Sequence, residues 1–244
     1  MDERRRGAIV NATQAAGKYL HDSGGNRKTP YELEKRAREI MLRELRSAIP
    51  EVSVYGEDGE VRSAIALCPL DAQVNFERGV GPYGSMAAVI EGGAAVIGAL
   101  YLPESDDMLV AEKGKGARLN GKRIELNGRH ALSRALVCCG CNLYNEEMVP
   151  LSMGAIEALA RNAIIWRNLG SPVAEFIYLA TGRIDGLVVP MLETAHAAGY
   201  LAIQEAGAVV SGTDGKPYTL RSAGIIAAGA SLHQDLYELL KDSL

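Results

Sequence analysis

The chemistry-bearing residues of this chain gather at four places. Gly56-Glu57-Asp58-Gly59-Glu60 packs three carboxylates into a glycine-flanked loop, which either binds Mg²⁺ or forms an exposed acidic turn. Cys68-Pro69-Leu70-Asp71-Ala72-Gln73-Val74-Asn75-Phe76 follows the apolar run Ala64–Leu67. A carboxylate at the carboxyl end of a strand, followed by the N–H groups of Ala72, Gln73 and Val74, can hold a metal and a phosphate. An Asx-type turn accounts for the same residues without any ligand. In Glu193-Thr194-Ala195-His196-Ala197-Ala198-Gly199, Thr194 reads as a helix cap and His196 falls in the first turn. A single His there is more often a core residue than a ligand. Cys138 and Cys141 form one C-x-x-C with Cys139 between them. Lacking a second pair or a nearby His pair, they read as reduced, partly buried thiols of a cytoplasmic protein rather than a zinc site.

The elements that position these residues fall into two groups. Ile9, Ala12, Ala16 and Leu20 share one face of a helix over about residues 2–22. Thr29-Pro30-Tyr31-Glu32 is a capping box with Pro at the first helical position. Leu33, Ala37, Ile40 or Met41, Leu45 and Ala48 continue it as an apolar stripe that Pro50 stops. Between 52 and 127 short strands are expected at Val52–Tyr55, Ala64–Leu67, Tyr83–Glu91, Ala94–Leu102, Met108–Glu112 and Ala117–Leu119. Glu91-Gly92-Gly93 and Asn120-Gly121 are hairpin turns, so this sheet is antiparallel and packs on the two helices. Beyond a boundary near 128–133, strands at 134–140, 163–166, 184–189, 208–210 and 224–228 alternate with helices at 147–161, 171–181, 195–206 and 231–242. That alternation predicts an α/β layer of mainly parallel strands. The organisation is therefore 1–130 and 131–244, within one continuous domain.

Composition narrows the function classes. The 244 residues are long enough to bury a core without disulfides or a structural metal. Aromatic content of 5% argues against a base-stacking platform, and a net charge of −4 argues against a general polyanion binder. Nucleic acid is therefore not an expected partner. Residues 1–50 hold 11 Lys or Arg against 7 Asp or Glu. These read as solvated basic helices, with docking of Arg36, Arg38, Arg43 and Arg46 on an acidic partner or RNA as the lesser alternative. No apolar run reaches the ~18 residues a membrane span needs, and no secretory leader is visible. A cytoplasmic location without membrane association is expected.

The order of these segments resembles the inositol monophosphatase superfamily over nearly the whole chain. Ile97-Gly98-Ala99-Leu100-Tyr101-Leu102-Pro103, Ala111-Glu112-Lys113-Gly114-Lys115-Gly116-Ala117 and Asn120-Gly121-Lys122-Arg123-Ile124 are similar to its G-x-x-x-x-P…A-x-x-G-x-G-A-x-x-N-G-x-x-I signature. Gly170-Ser171, Gly182-Arg183-Ile184-Asp185-Gly186, Ala197-Ala198-Gly199 and Glu205-Ala206-Gly207 fall in the family's order. The resemblance implies a layered α-β-α-β-α sandwich of the inositol monophosphatase/fructose bisphosphatase type. It also implies a homodimer and Mg²⁺-dependent, Li⁺-sensitive phosphomonoester hydrolysis.

The same resemblance shows where the catalytic motifs break. Glu57 stands at the metal carboxylate of the family's G-E-E loop. Of the two Asp in its D-P-x-D-G-T-x-N-F motif, Asp71 remains and Cys68 replaces the other. The carbonyl of Leu70 would be a further ligand. Gln73 replaces the water-orienting Thr, and Ala72 replaces the Gly. Thr194 and Ala195 occupy the W-D pair, so the last metal Asp is lost at Ala195. Glu34 matches an Asp near the third metal, and Val189 falls near the Glu that contacts a substrate hydroxyl. Mg²⁺ requires hard oxygen ligands, so losing two of four central carboxylates implies a catalytically degenerate protein with no tightly bound cofactor. Such a protein would bind a phosphorylated small molecule, inorganic phosphate or a partner. The alternative is an active Mg²⁺ phosphatase in which Glu193, Asp58 or Glu60 rebuilds a metal site.

Overall fold

The structure is a computed structural model that describes residues 3–24, 29–49, 53–55, 63–126, 131–141, 146–162, 165–191 and 193–244. The Gly56–Glu60 loop, with Glu57, Asp58 and Glu60, lies outside the described residues. In chain order the elements open with α1 (Glu3–Asp22), α2 (Pro30–Ala48), β1 (Ser63–Asp71) and α3 (Gln73–Arg78). Five strands follow: β2 (Gly84–Glu91), β3 (Ala94–Leu102), β4 (Asp107–Glu112), β5 (Gly116–Leu119) and β6 (Lys122–Ile124). The second half holds β7 (Leu136–Cys139), α4 (Val149–Arg161), β8 (Ile165–Arg167), α5 (Pro172–Ala180) and β9 (Gly186–Val189). It ends with α6 (Ala197–Glu205), β10 (Val209–Gly212), β11 (Ile225–Ala228) and α7 (Ala230–Leu240).

The first six strands form an antiparallel meander in the order β1-β2-β3-β4-β5-β6. The second sheet runs β10-β11-β9-β7-β8. There β7 pairs in parallel with both β8 and β9, while β11 is antiparallel to β9 and β10. The sheet is mixed rather than mainly parallel as expected, because no helix separates β10 from β11, and a direct connection between neighbouring strands leaves them antiparallel.

Strand alternation sorts the core into layers. Ile65, Ala87, Val89, Ile97, Ala99 and Tyr101 pack on Ile9, Ala12, Ala16 and Leu20 of α1 and on Leu33, Ala37, Met41 and Leu45 of α2. The opposite face of that sheet, with Ala66, Cys68, Met86, Ala88 and Leu100, packs on α5 and α6. Those two helices also meet Cys138, Leu187, Ile225 and Ala227 of the second sheet. Its other face, with Val137, Cys139, Val188, Ile226 and Ala228, is covered by α4 and α7. The result is the α-β-α-β-α sandwich that the resemblance implied. Because α6 lies between two sheets, all seven residues from Ala197 to Ile203 are buried.

The family signatures prove to be packing devices. A Cβ on Gly98 would come 2.9 Å from the Ala198 Cα, so Gly98 and Ala198 let α6 lie close on β3. Glu205 at the end of α6 accepts hydrogen bonds from the N–H groups of Gly114 (2.7 Å) and Gly116 (2.8 Å), which ties two motif segments together. Asn120 and Gly121 both have positive φ, as an Asn-Gly hairpin requires.

Four further expectations change. Of the strand Val52–Tyr55, the described part shows only an isolated bridge from Val54 to Ile65. Strand β1 extends four residues beyond Leu67, and the segment expected as a turn continues into α3. Strand β6 completes the hairpin that Asn120-Gly121 begins. Finally, Thr194–His196 is a separate 3₁₀ turn before α6, and Thr194 caps nothing.

Candidate functional site

The site grows from a defect in β1. Regular antiparallel pairing with β2 ends at Cys68 opposite Met86 and resumes at Asp71 opposite Gly84, so β1 carries one extra residue. Residues i and i+3 of a regular strand point to opposite faces; one inserted residue brings them to the same face. Pro69 sits within the bulge, where the N–H it lacks is not needed for the ladder. Cys68 and Asp71 therefore both face the α5–α6 layer, while Leu70 turns its side chain to the α1–α2 side.

Asp71 is 4% exposed and meets the start of α5. Its Oδ2 accepts hydrogen bonds from Ser171 Oγ at 2.5 Å and from the Val173 N–H at 3.1 Å. Ser171 also caps α5, its Oγ accepting from the Ala174 N–H at 3.3 Å. Burial nonetheless raises the Asp71 carboxyl to about 7, because desolvation outweighs these hydrogen bonds. The Cys68 thiol is pushed well above its usual value by burial, then by Asp71, Glu193 and Glu34. His196, 8% exposed, is held below its ordinary value by burial, which the nearby Glu193 carboxylate opposes.

The 3₁₀ turn carries His196 down onto the bulge. Donor atoms of Cys68, Asp71 and His196 lie within 4.8 Å of one another. Glu193 stands at the exposed rim, with Oε2 3.7 Å from His196 Nε2. Phe176 presents its ring edge-on to the imidazole, 6.3 Å between centroids. A second buried acid lies deeper in α5: desolvation raises Glu175 to about 8 although it accepts from the Leu169 N–H at 3.1 Å.

Other residues singled out from sequence fall around this centre. Ala72 takes the left-handed conformation, φ 59° and ψ 51°, where the family has Gly. Gln73 Nε2 donates to Glu34 Oε2 at 3.4 Å, so two positions that the resemblance singled out contact each other. Val74 is exposed, and Ala195 and Val189 pack against the central core. Cys138 faces the central core while Cys139 and Cys141 pack with the outer one, so the two ends of the C-x-x-C lie on opposite sides of β7 and form no metal group among the described residues. The four thiols are free. Sequence reasoning assigned no site role to two buried polar groups, Ser171 and Glu175. Ser171 was visible only as part of a Gly-Ser motif, and Glu175 sits in an apolar helix whose burial on all sides emerges only from the layering.

A sequence model of the inositol monophosphatase family matches residues 6–244. The chain belongs to that family. An inositol-1-monophosphatase of Mesorhizobium japonicum is 28% identical over 222 residues, covering 87% of this chain and 83% of that one. The Nus factor SuhB of Vibrio cholerae is 27% identical over 229 residues, covering 90% and 85%. Among solved structures, the inositol monophosphatase of Anabaena (Nostoc) aligns with a TM-score of 0.88 at 22% identity, covering 98% of this chain and 95% of that one. The extragenic suppressor protein SuhB of Bartonella henselae gives 0.87 at 24%, covering 98% of both. These two structures are alike in fold. The likeness to Nus factors lends no support to the expectation that nucleic acid is not a partner.

Members of the inositol monophosphatase family use Mg²⁺, and the donors of this group among the described residues do not by themselves fit a pair of such ions. Magnesium demands octahedral oxygen coordination. Among the described residues the group holds a buried thiol, an imidazole and the Asp71 carboxylate, with Glu193 at its rim, while Ala195 offers no donor.

Proposed function

We propose that this inositol monophosphatase family member has left its family's Mg²⁺-dependent hydrolysis and serves as a binding protein for a phosphorylated small molecule. The observation that carries this reading is the buried Cys68–Asp71–His196 group beside Ala195. Sulfur at Cys68 and a methyl at Ala195 stand where the resemblance implies the hard carboxylates that generate hydroxide and stabilise a leaving oxygen. Support for a retained phosphate cradle comes from the turn at Ala72, Gln73 and Val74. It keeps its left-handed entry at Ala72 even with the glycine gone.

Relatives named both as phosphatases and as Nus factors support a fold that serves catalysis in some members and another role in others. Among the described residues no helix is long and apolar enough to cross a membrane; we place the protein in the cytoplasm as a homodimer. A second reading, a phosphatase with a displaced ligand, draws on Glu193, whose carboxylate reaches the rim of the same group.

Calorimetry with inorganic phosphate and with inositol 1-phosphate, in EDTA, tests the binding. Saturable heat that Mg²⁺ does not increase is expected. No heat with either ligand would overturn the phosphate reading.

A further inference from the structure

The misfit to magnesium has a positive counterpart. Cys68 and Asp71 come from the bulged end of β1, and His196 comes from the 3₁₀ turn before α6. Two separate chain segments thus bring one sulfur, one carboxylate oxygen and one imidazole nitrogen to a single buried point, within 4.8 Å of each other. Metal–sulfur bonds of about 2.3 Å and metal–nitrogen or metal–oxygen bonds of about 2.0–2.1 Å in a tetrahedron place donors roughly 3.3–3.6 Å apart. Closure by about 1 Å therefore puts all three donors on one ion.

The surroundings suit that ion as well. Ser171 Oγ and the Val173 N–H both bond Asp71 Oδ2, fixing the carboxylate in the manner of metal-ligating acids. Glu193, two residues before Ala195, faces His196 from solvent. A thiolate and an imidazole are poor partners for Mg²⁺ but good ones for a borderline-soft ion.

We propose that Cys68 Sγ, the Asp71 carboxylate and the His196 imidazole bind one Zn²⁺-class ion, with Glu193 facing the fourth corner. Binding releases to solvent the Cys68 thiol proton and any proton held by the Asp71 carboxyl, and the thiolate and carboxylate together neutralise the dication. The inference rests on the reading that no magnesium pair assembles here.

The test uses the full chain, stripped with EDTA and then given one equivalent of Zn²⁺ or Co²⁺. After gel filtration about one equivalent should remain, and the Co²⁺ form should show a near-ultraviolet thiolate-to-cobalt band. Cys68→Ser should abolish the band, His196→Gln should weaken retention, and Ser171→Ala should weaken it about tenfold. Cys141→Ser should leave the spectrum unchanged. Circular dichroism of each variant reports folding separately.

Failure of the folded wild type to retain either ion overturns the proposal, and so does a band that survives Cys68→Ser. Mg²⁺-dependent release of phosphate from inositol 1-phosphate would instead overturn the reading of lost magnesium chemistry. Absent turnover with no retained zinc or cobalt would overturn only the zinc inference.

Discussion

Cys68 and Asp71 face the same side of β1 although they lie three positions apart, because the bulge between them shifts the strand by one residue. This relationship explains how a motif spaced i, i+3 can form a site on a strand at all. It also explains why the replacement at Cys68 matters: the side chain cannot turn away into solvent. A soft donor is held at the position where the resemblance implies a hard one.

Ser171→Ala should destabilise the protein by about 2 kcal/mol. The change removes the N-cap of α5 and one of the hydrogen bonds to a buried carboxyl. Urea unfolding reads this directly; a loss below about 0.5 kcal/mol would mean that Asp71 does not depend on Ser171.

Glu175→Gln should become progressively more stabilising as pH rises. Burial raises the Glu175 carboxyl from 4.5 to about 8, so between those values the folded protein binds the extra proton. Wild-type stability attributable to this group is complete below pH 4.5, falls across the window and is fully lost above about 8. Gln keeps an acceptor for the Leu169 N–H and never ionises. The gap between variant and wild type should widen from pH 5 to pH 9 by roughly 4 kcal/mol. A gap that stays constant between these pH values would contradict a buried, protonated Glu175.

Much of this architecture was legible beforehand. The capping box at Thr29, the Asn120-Gly121 turn and the alternating strands each express a local rule, and the structure obeys them. The α1 stripe also packs as its periodicity required. Residues at the site were less legible because their meaning is non-local. His196 looked like a core histidine until the 3₁₀ turn placed it against Cys68, and nothing in the run before Phe176 announces that Glu175 is enclosed by two sheets. The bulge lengthens β1 past the point where hydrophobic patterning stops, so the strand seemed to end at Leu67. Glu57, Asp58 and Glu60 lie outside the described residues and remain proposals from the motif alone.

Ala72→Gly should stabilise the protein by about 0.5 kcal/mol. A left-handed Ala costs about 1–2 kcal/mol, part of which Gly returns as unfolded-chain entropy. Thermal unfolding should show a small rise in Tm; a fall would mean that the φ of 59° carries no strain worth relieving.

Gly199→Ala should be severely destabilising, by about 3 kcal/mol. An added Cβ would overlap the Phe176 ring between α6 and α5. Pairing it with Phe176→Leu should recover part of the loss, and a double mutant no more stable than the single would place the clash elsewhere.

The central claim is that this member's site no longer supports magnesium-dependent hydrolysis. Phosphate release from inositol 1-phosphate in Mg²⁺ tests it most directly, comparing wild type with the double variant Cys68→Asp/Ala195→Asp. The account predicts no release above the uncatalysed rate from wild type. Mg²⁺-dependent turnover by wild type that Asp71→Asn abolishes would contradict it, whatever the double variant does.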